Sequence, residues 1–174
     1  DIEAINLDMG AGGSVGDWLS YNASTSVSVD LALGTATGFA SIVSVENVIG
    51  GTGDDALAGD GAGNKIQGGL GDDVITGGGG ADNLTGGLGS DEFVYAAGAG
   101  ADTINDFDAW AVDGQDFLDL AGMGVTSGNF ASRVTIIDTG NDTVVRIDGS
   151  IFITLKNVTG DGDNSISEAD FILA

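Results

Sequence analysis

From Gly50 to Val94 the chain is written in blocks of nine residues, GGTGDDALA, GDGAGNKIQ, GGLGDDVIT, GGGGADNLT and GGLGSDEFV, without a gap. Glycine opens each block, at Gly50, Gly59, Gly68, Gly77 and Gly86. The sixth place holds Asp55, Asn64, Asp73, Asp82 and Asp91, and the eighth is always apolar: Leu57, Ile66, Ile75, Leu84 and Phe93. One block is too small to bury an apolar face by itself, so a fixed period of this length dictates a stack in which each unit rests on its neighbours. Glycines in the first, second and fourth places let a six-residue loop visit positive φ and turn its carbonyl oxygens to one side. The remaining three residues form a short strand, and residues two apart in it point the same way. The sixth-place carboxylate and the eighth-place apolar side chain therefore both face the interior of the coil. Two blocks complete a turn, which stacks Asp55, Asp73 and Asp91 on one side and Asn64 and Asp82 on the other.

Strands stack at about 4.8 Å, a spacing that presses these carboxylates together and opposes folding unless a cation lies between them. Composition names the kind of cation. There are 27 Asp plus Glu against 4 Lys plus Arg, a formal charge of -23, and neither cysteine nor histidine. Any metal must be held by oxygen, and calcium accepts six to eight hard oxygen ligands in a tolerant geometry where magnesium demands a strict octahedron. The same charge disfavours DNA, RNA and anionic membranes as partners, because nothing is available to neutralise phosphates. High charge with few aromatics suggests disorder, but 42% hydrophobic residues and a positive mean hydropathy argue against it. A bound counter-ion reconciles the two. With sites of ~0.1 to 1 mM, millimolar calcium stabilises the fold by only ~0.4 to 1.4 kcal/mol per site. Several sites together approach a domain's stability of about 5 to 15 kcal/mol, so the ladder is expected to fold conditionally, several calcium ions at a time.

The flanks read as extensions of the ladder. Ile2 to Leu7 is strand-like, and Gly12 to Ser20 is a worn copy with Asp17 sixth and Leu19 eighth. Ser26 to Leu33 alternates at period two and predicts a half-buried strand. Ser41 to Ile49 enters the ladder in register, with Glu46 sixth and Val48 eighth. After Val94 the register slips by two residues, and Ala97 to Asn105 is a further copy carrying Gly98, Gly100, Asp102 and Ile104. Beyond it Asp106, Asp108, Asp113, Asp116 and Asp119 stand among apolar residues, either as solvated strand ends or as more calcium ligands. Two strand-like runs, RVTIIDTG and DTVVRIDGSIFITL, are separated by a turn at Gly140 and Asn141. The end of the chain, NSISEADFILA, is amphipathic.

On the nonapeptides the chain resembles the RTX family, whose repeats form a right-handed parallel β-roll, a β-helix-like solenoid. The fold implied is all-β, with flanking β-strand capping regions: 1–49 leading in, 50–105 as the roll, and 106–174 as capping and secretion-signal region, in one continuous structural domain. By the same resemblance, the carbonyls of Gly51 and Gly53 with the Asp55 carboxylate would share calcium with the carbonyls of Gly68 and Leu70 and the Asp73 carboxylate. Gly69, Gly71 and Asp73 would pair likewise with Gly86, Leu88 and Asp91. On the other side Asp60, Ala62 and Asn64 would face Gly77, Gly79 and Asp82, and Asp102 extends that side. Asn64 departs from the pattern, and a neutral amide should hold calcium more weakly. Family members are commonly exported by type I secretion, and Glu168 to Ala174 resembles the acidic-then-apolar tail of that route. The resemblance thus implies a secreted, extracellular module, with calcium and the type I secretion machinery as its partners.

Other readings compete at single features. Thr159 to Asp170 partly fits an EF-hand loop, although Thr159 and Asn164 stand where aspartate and glycine belong; a polar turn is the simpler reading. Trp18 and Trp110 either cover edges of the core, which we favour, or serve as sugar platforms. Among 27 acidic residues a glycosidase-like carboxylate pair is expected by chance, and no nucleophile and base constellation accompanies one, so the chain reads as non-catalytic. No apolar run reaches about 18 residues and no amino-terminal export signal is visible. The alternative function is a module that binds an extracellular polysaccharide or acts as an adhesin, using the calcium-loaded roll as a surface.

Overall fold

A computed structural model describes residues 5–8, 16–23, 25–110, 114–159 and 165–174. In chain order the strands are β1 (Ile5–Asp8), β2 (Trp18–Ala23), β3 (Ser28–Asp30), β4 (Thr35–Ala36), β5 (Asn47–Gly51), β6 (Ala56–Ala58), β7 (Lys65–Leu70), β8 (Val74–Thr76), β9 (Asn83–Leu88) and β10 (Glu92–Val94). After the repeats come β11 (Ala101–Ile104), β12 (Phe117–Asp119), a short helix α1 (Phe130–Arg133), β13 (Val134–Asp138), β14 (Thr143–Ile147), β15 (Ile151–Leu155) and β16 (Phe171–Ile172).

Successive strands of the ladder alternate between two sheets. One runs β1-β2-β5-β7-β9-β11-β15-β14-β13 and the other β16-β12-β10-β8-β6-β3-β4. Within each sheet the repeat strands are parallel and pair two blocks apart: Asn47 opposite Lys65 opposite Asn83 in one, Leu57 opposite Ile75 in the other. A coil of two nonapeptides is thus a parallel β-roll.

The eighth places build the core. Leu19, Val48, Ile66, Leu84 and Ile104 form one column and Val29, Leu57, Ile75, Phe93 and Leu118 the facing one, all within a single buried cluster. Places seven and nine turn outward, as in β8, where Val74 is exposed and Ile75 buried. Glycine is required where coils touch. Gly69 has φ +127°, and a Cβ there would collide with the carbonyl oxygen of Gly51 in the coil before it.

The two-residue slip after Val94 is absorbed before β11, where Thr103 pairs with Asn83. The described half of the first worn copy, Gly16 to Ser20, joins the coil: Leu19 pairs with Val48. Its other residues, 12–15, lie outside the described set, as do 2–4 of the first strand-like stretch.

Two expectations need correction. The strand in Ser26 to Leu33 ends at Asp30, whose carboxylate accepts the Leu33 N–H at 2.8 Å. A tight turn through Gly34 (φ +67°) follows, leaving Leu33 76% exposed, so local turn chemistry overrides the alternating pattern. The run from Asp142 to Leu155 is two strands, not one. Asp148 and Gly149 adopt positive φ and fold β14 back on β15, with Ile147 opposite Ile151. The turn at Gly140 and Asn141 lies between β13 and β14 as expected. β15 then joins β11 in parallel, closing the roll with a three-stranded meander.

Candidate metal centre

The loops between the two sheets carry the sixth-place side chains inward. On one side Asp55, Asp73 and Asp91 stand one above another, and on the other Asn64, Asp82 and Asp102; all six are buried. Each carboxylate spends one oxygen on the preceding coil. Asp73 Oδ1 accepts the Asp55 N–H at 2.8 Å and Asp91 Oδ1 accepts the Asp73 N–H at 2.9 Å. Asp55 Oδ1 accepts from Val27 at 2.8 Å, and Asp102 Oδ1 from Asp82 at 3.0 Å. Asp82 Oδ1 accepts the Asn64 N–H at 2.8 Å.

The second oxygen is left over. Oδ2 of Asp55, Asp73, Asp82, Asp91 and Asp102 is buried without a hydrogen-bond partner. A buried, unsatisfied carboxylate oxygen is costly, and natural structures rarely keep one without a water or an ion. The Oδ2 atoms of Asp55, Asp73, Asp82 and Asp91 point at the first-place glycines of their own blocks. A Cβ on Gly50 would fall within 3.0 Å of both Asp55 Oδ2 and the Gly68 carbonyl oxygen. On Gly68 it would meet Asp73 Oδ2 and the Gly86 carbonyl, and on Gly59 the Gly77 carbonyl and Asn64 Oδ1. Beside each of these three glycines, then, a sixth-place oxygen of one loop and the first-place carbonyl of the loop stacked above it converge on one small space.

Burial pushes these carboxyls up, and their neighbours' charges add to it. Asp73 rises to about 7, Asp91 to about 6 and Asp102 to about 7; Asp55 and Asp82 are raised as well. In each case the backbone N–H bond opposes the shift without cancelling it.

The donor set suits a hard divalent cation: one carboxylate per loop, with carbonyls from the stacked loop, all oxygen. Among the described residues no group of three or more carboxylates forms a metal cluster, so carbonyls must supply much of any coordination. Some residues in the expected ligand set have other partners. The Asp60 carbonyl accepts the Gly79 N–H at 2.7 Å, and the Leu88 carbonyl accepts the Gly71 N–H at 2.9 Å. Gly51 presents its carbonyl to Gly69, Gly53 packs on the backbone of Thr25 and Ser26, and Ala62 lies under Gly80. The side chain of Leu70 is half-exposed outside the loop.

Asn64 differs from its stack-mates in more than charge. Its Nδ2 donates to the Glu46 carbonyl at 2.8 Å and its Oδ1 accepts the Asp60 N–H at 2.9 Å. The amide is thus satisfied within the chain, where the aspartates keep an orphan oxygen. Glu46 below it accepts the Asp17 N–H at 2.6 Å, which continues the stack into the worn first copy.

Sequence reasoning missed Asp116 as a member of the column. It is buried, and its two oxygens accept the N–H groups of Asp91 and Asp108, both at 2.9 Å. Burial raises its carboxyl to about 8. The signal was present: Gly114, Asp116 and Leu118 keep the fourth, sixth and eighth places of a nonapeptide whose opening glycines are gone. Asp106 also binds backbone, accepting from Gly86 and Gly87 at 3.0 Å each. Asp116 is therefore no solvated strand end, whereas Asp106 is exposed while holding two backbone N–H groups.

In the EF-hand-like stretch, residues 160–164 lie outside the described set. Asp170 is buried and accepts from Ser167 N at 2.6 Å and Gln115 Nε2 at 2.8 Å, closing a capping box with Ser167, the N-cap of a short turn before β16.

Comparison with known proteins adds the following. Residues 58–93 match the RTX calcium-binding nonapeptide repeat, in four copies. No curated protein sequence matches. Among solved structures the chain is similar to the extracellular lipase LipA from Serratia marcescens, at 25% identity and a TM-score of 0.44, covering 81% of this chain and 23% of that one. It is also similar to the AlgE6R2 subunit of the Azotobacter vinelandii mannuronan C5-epimerase, at 23% identity and a TM-score of 0.46, covering 90% and 91%. The AlgE6R3 subunit of the same enzyme gives 24% and 0.45, covering 86% and 78%. The chain spans less than a quarter of the lipase. Residues 58–93 are RTX calcium-binding nonapeptide repeats, and the coil they build is a parallel β-roll.

Proposed function

We propose that the chain is a non-catalytic, secreted module that folds when calcium enters its loops, and that this folding accompanies export by a type I route and stabilises whatever protein the module is attached to. The five orphan Oδ2 atoms carry this reading: each is a buried carboxylate oxygen without compensation, and those of Asp55 and Asp73 sit where the carbonyl of a stacked loop converges with them. Asp55, Asp73 and Asp91 would hold ions on one side, with the carbonyls of Gly68 and Gly86 beside the first two. Asp82 and Asp102 would do so on the other. Bound calcium neutralises these carboxylates and ties each coil to the next.

Export enters through the same balance. In low calcium the unneutralised carboxylates oppose stacking, and an open chain is what a narrow exporter needs; extracellular calcium then closes the coil. Among the described residues no helix is long and apolar enough to cross a membrane, and the tail resembles that export route. Far-ultraviolet circular dichroism during a calcium titration tests the proposal. β-structure should appear over the sub-millimolar to millimolar range and vanish on chelation, and a spectrum indifferent to chelator overturns it.

A further inference from the structure

We propose that the cleft beside Trp110, at the carboxyl-terminal shoulder of the roll, is a binding site for a neutral saccharide. It rests on the Trp110 surface and not on the calcium sites. β11 and β15 run parallel and end together, with Lys156 N donating to the Ile104 carbonyl at 2.9 Å. The segments that leave them, Asn105 to Trp110 and Lys156 to Asn157, therefore emerge side by side and line an open cleft of about 430 Å³. That volume lies in the range of small-molecule sites, about 300 to 1,000 Å³.

The first segment is held firmly. Phe107 is buried and packs on Phe93 at 6.1 Å between ring centroids. Asp106 is tied to Gly86 and Gly87, and the Asp108 carboxylate accepts the Trp110 N–H at 2.8 Å. On this fixed frame Trp110 is left 50% exposed, so half of its surface stays open beyond any core edge it covers. An exposed indole beside a cleft lined by carboxylates and amides suits a ligand with one apolar face and an edge of hydroxyls. A pyranose has both. Asp106 and Asp108 can accept from hydroxyls, their carboxylate oxygens keeping lone pairs beyond their backbone bonds, and the amides of Asn105 and Asn157 both give and accept.

Charge selects a neutral sugar over an acidic one. Two carboxylates line the cleft, and its one ammonium, Lys156 Nζ, is engaged by Asp142 at 2.5 Å. Elsewhere Arg133 is paired with Asp148, and Arg146 lies over the Phe152 ring at 5.2 Å. At an exposed site a single indole adds only weakly to the binding of an organic cation, and Phe107 is buried and offers no second face.

The test uses the whole chain at saturating calcium, with circular dichroism confirming the fold. Cellobiose, maltose, lactose, mannobiose and chitobiose are the neutral probes and digalacturonate the acidic one, read by tryptophan emission and saturation-transfer NMR. In a Trp18→Phe background the emission reports Trp110. At least one neutral disaccharide should give a saturable shift, with affinity falling about tenfold or more in Trp110→Ala and the calcium midpoint unmoved. Should Trp110→Ala fail to fold, Trp110→Phe, which keeps a smaller aromatic face, should bind several-fold more weakly than Trp110. The proposal is overturned if no neutral disaccharide binds, if the Trp110 variants bind as well as the parent, or if digalacturonate alone binds.

Discussion

The first-place glycines and sixth-place side chains give the sharpest tests at the scale of single residues. A methyl group on Gly68 would meet Asp73 Oδ2 and the Gly86 carbonyl, whereas one on Gly61 meets nothing within 4 Å. Gly68→Ala should therefore destabilise the calcium-loaded roll by about 1 to 3 kcal/mol through overpacking and raise the calcium midpoint. Gly61→Ala, on an exposed and unstrained loop, should stay within about 0.5 kcal/mol; thermal melts at fixed calcium read both. Asn64 offers the converse test. Asn64→Asp exchanges a satisfied amide for a carboxylate whose oxygen would face the Glu46 carbonyl in place of Nδ2. The metal-free fold should weaken by about 1 to 3 kcal/mol, while calorimetry should count one more calcium ion per chain. An unchanged count would mean that the Asn64 loop already holds an ion as its aspartate neighbours do.

At the scale of elements, the parts visible in the sequence are those where one residue type has one task. The eighth-place column was legible from Leu57 to Phe93 because each strand needs an inward apolar residue every nine positions. The slipped copy at Ala97 to Asn105 was legible because it kept both its glycines and its Asp102. Asp116 was legible as a possible ligand but not as a member of the column, because the insertion before it lengthens the coil step to 25 residues and replaces the opening glycines. The strand at Ser28–Asp30 was overextended for another reason: a carboxylate that bonds its own chain three residues on is as compatible with alternation as with a turn. Contacts to the final segment were not legible at all, because they depend on pairing across more than fifty residues. There Phe171 pairs with Leu118 and meets Phe130 edge-on at 4.9 Å. The acidic-then-apolar tail is thus part of the folded cap, with Ala174 N bonded to the Val125 carbonyl at 2.8 Å. Phe171→Ala should cost about 3 to 5 kcal/mol in denaturant unfolding at saturating calcium. A loss below about 1 kcal/mol would show that the tail is not held by this contact.

For the whole molecule, the raised carboxyls bind calcium occupancy, proton uptake and folding into one equilibrium. The ordinary aspartate value is 3.8, and the folded metal-free roll holds Asp91 near 6, Asp73 and Asp102 near 7 and Asp116 near 8. Below about pH 4 these groups are protonated in both folded and unfolded chains, and burial costs them no charge. As pH rises from there the unfolded chain releases protons that the folded chain retains, so stability falls, and the loss is complete once pH passes through the folded values near 8. The metal-free roll should accordingly melt higher near pH 5 than near pH 8. Calcium reverses the trend, because it occupies the oxygens the protons leave, and its apparent affinity should climb across the same window. Calorimetry near pH 7 in two buffers of different ionisation enthalpy should detect protons released on calcium binding. Binding without proton release, or a metal-free roll that gains stability with rising pH, would mean that the buried carboxyls are already ionised and balanced by groups other than calcium. With three of the four Lys and Arg side chains engaged elsewhere, by Asp142, by Asp148 and over Phe152, the chain holds little cationic charge in reserve for that role.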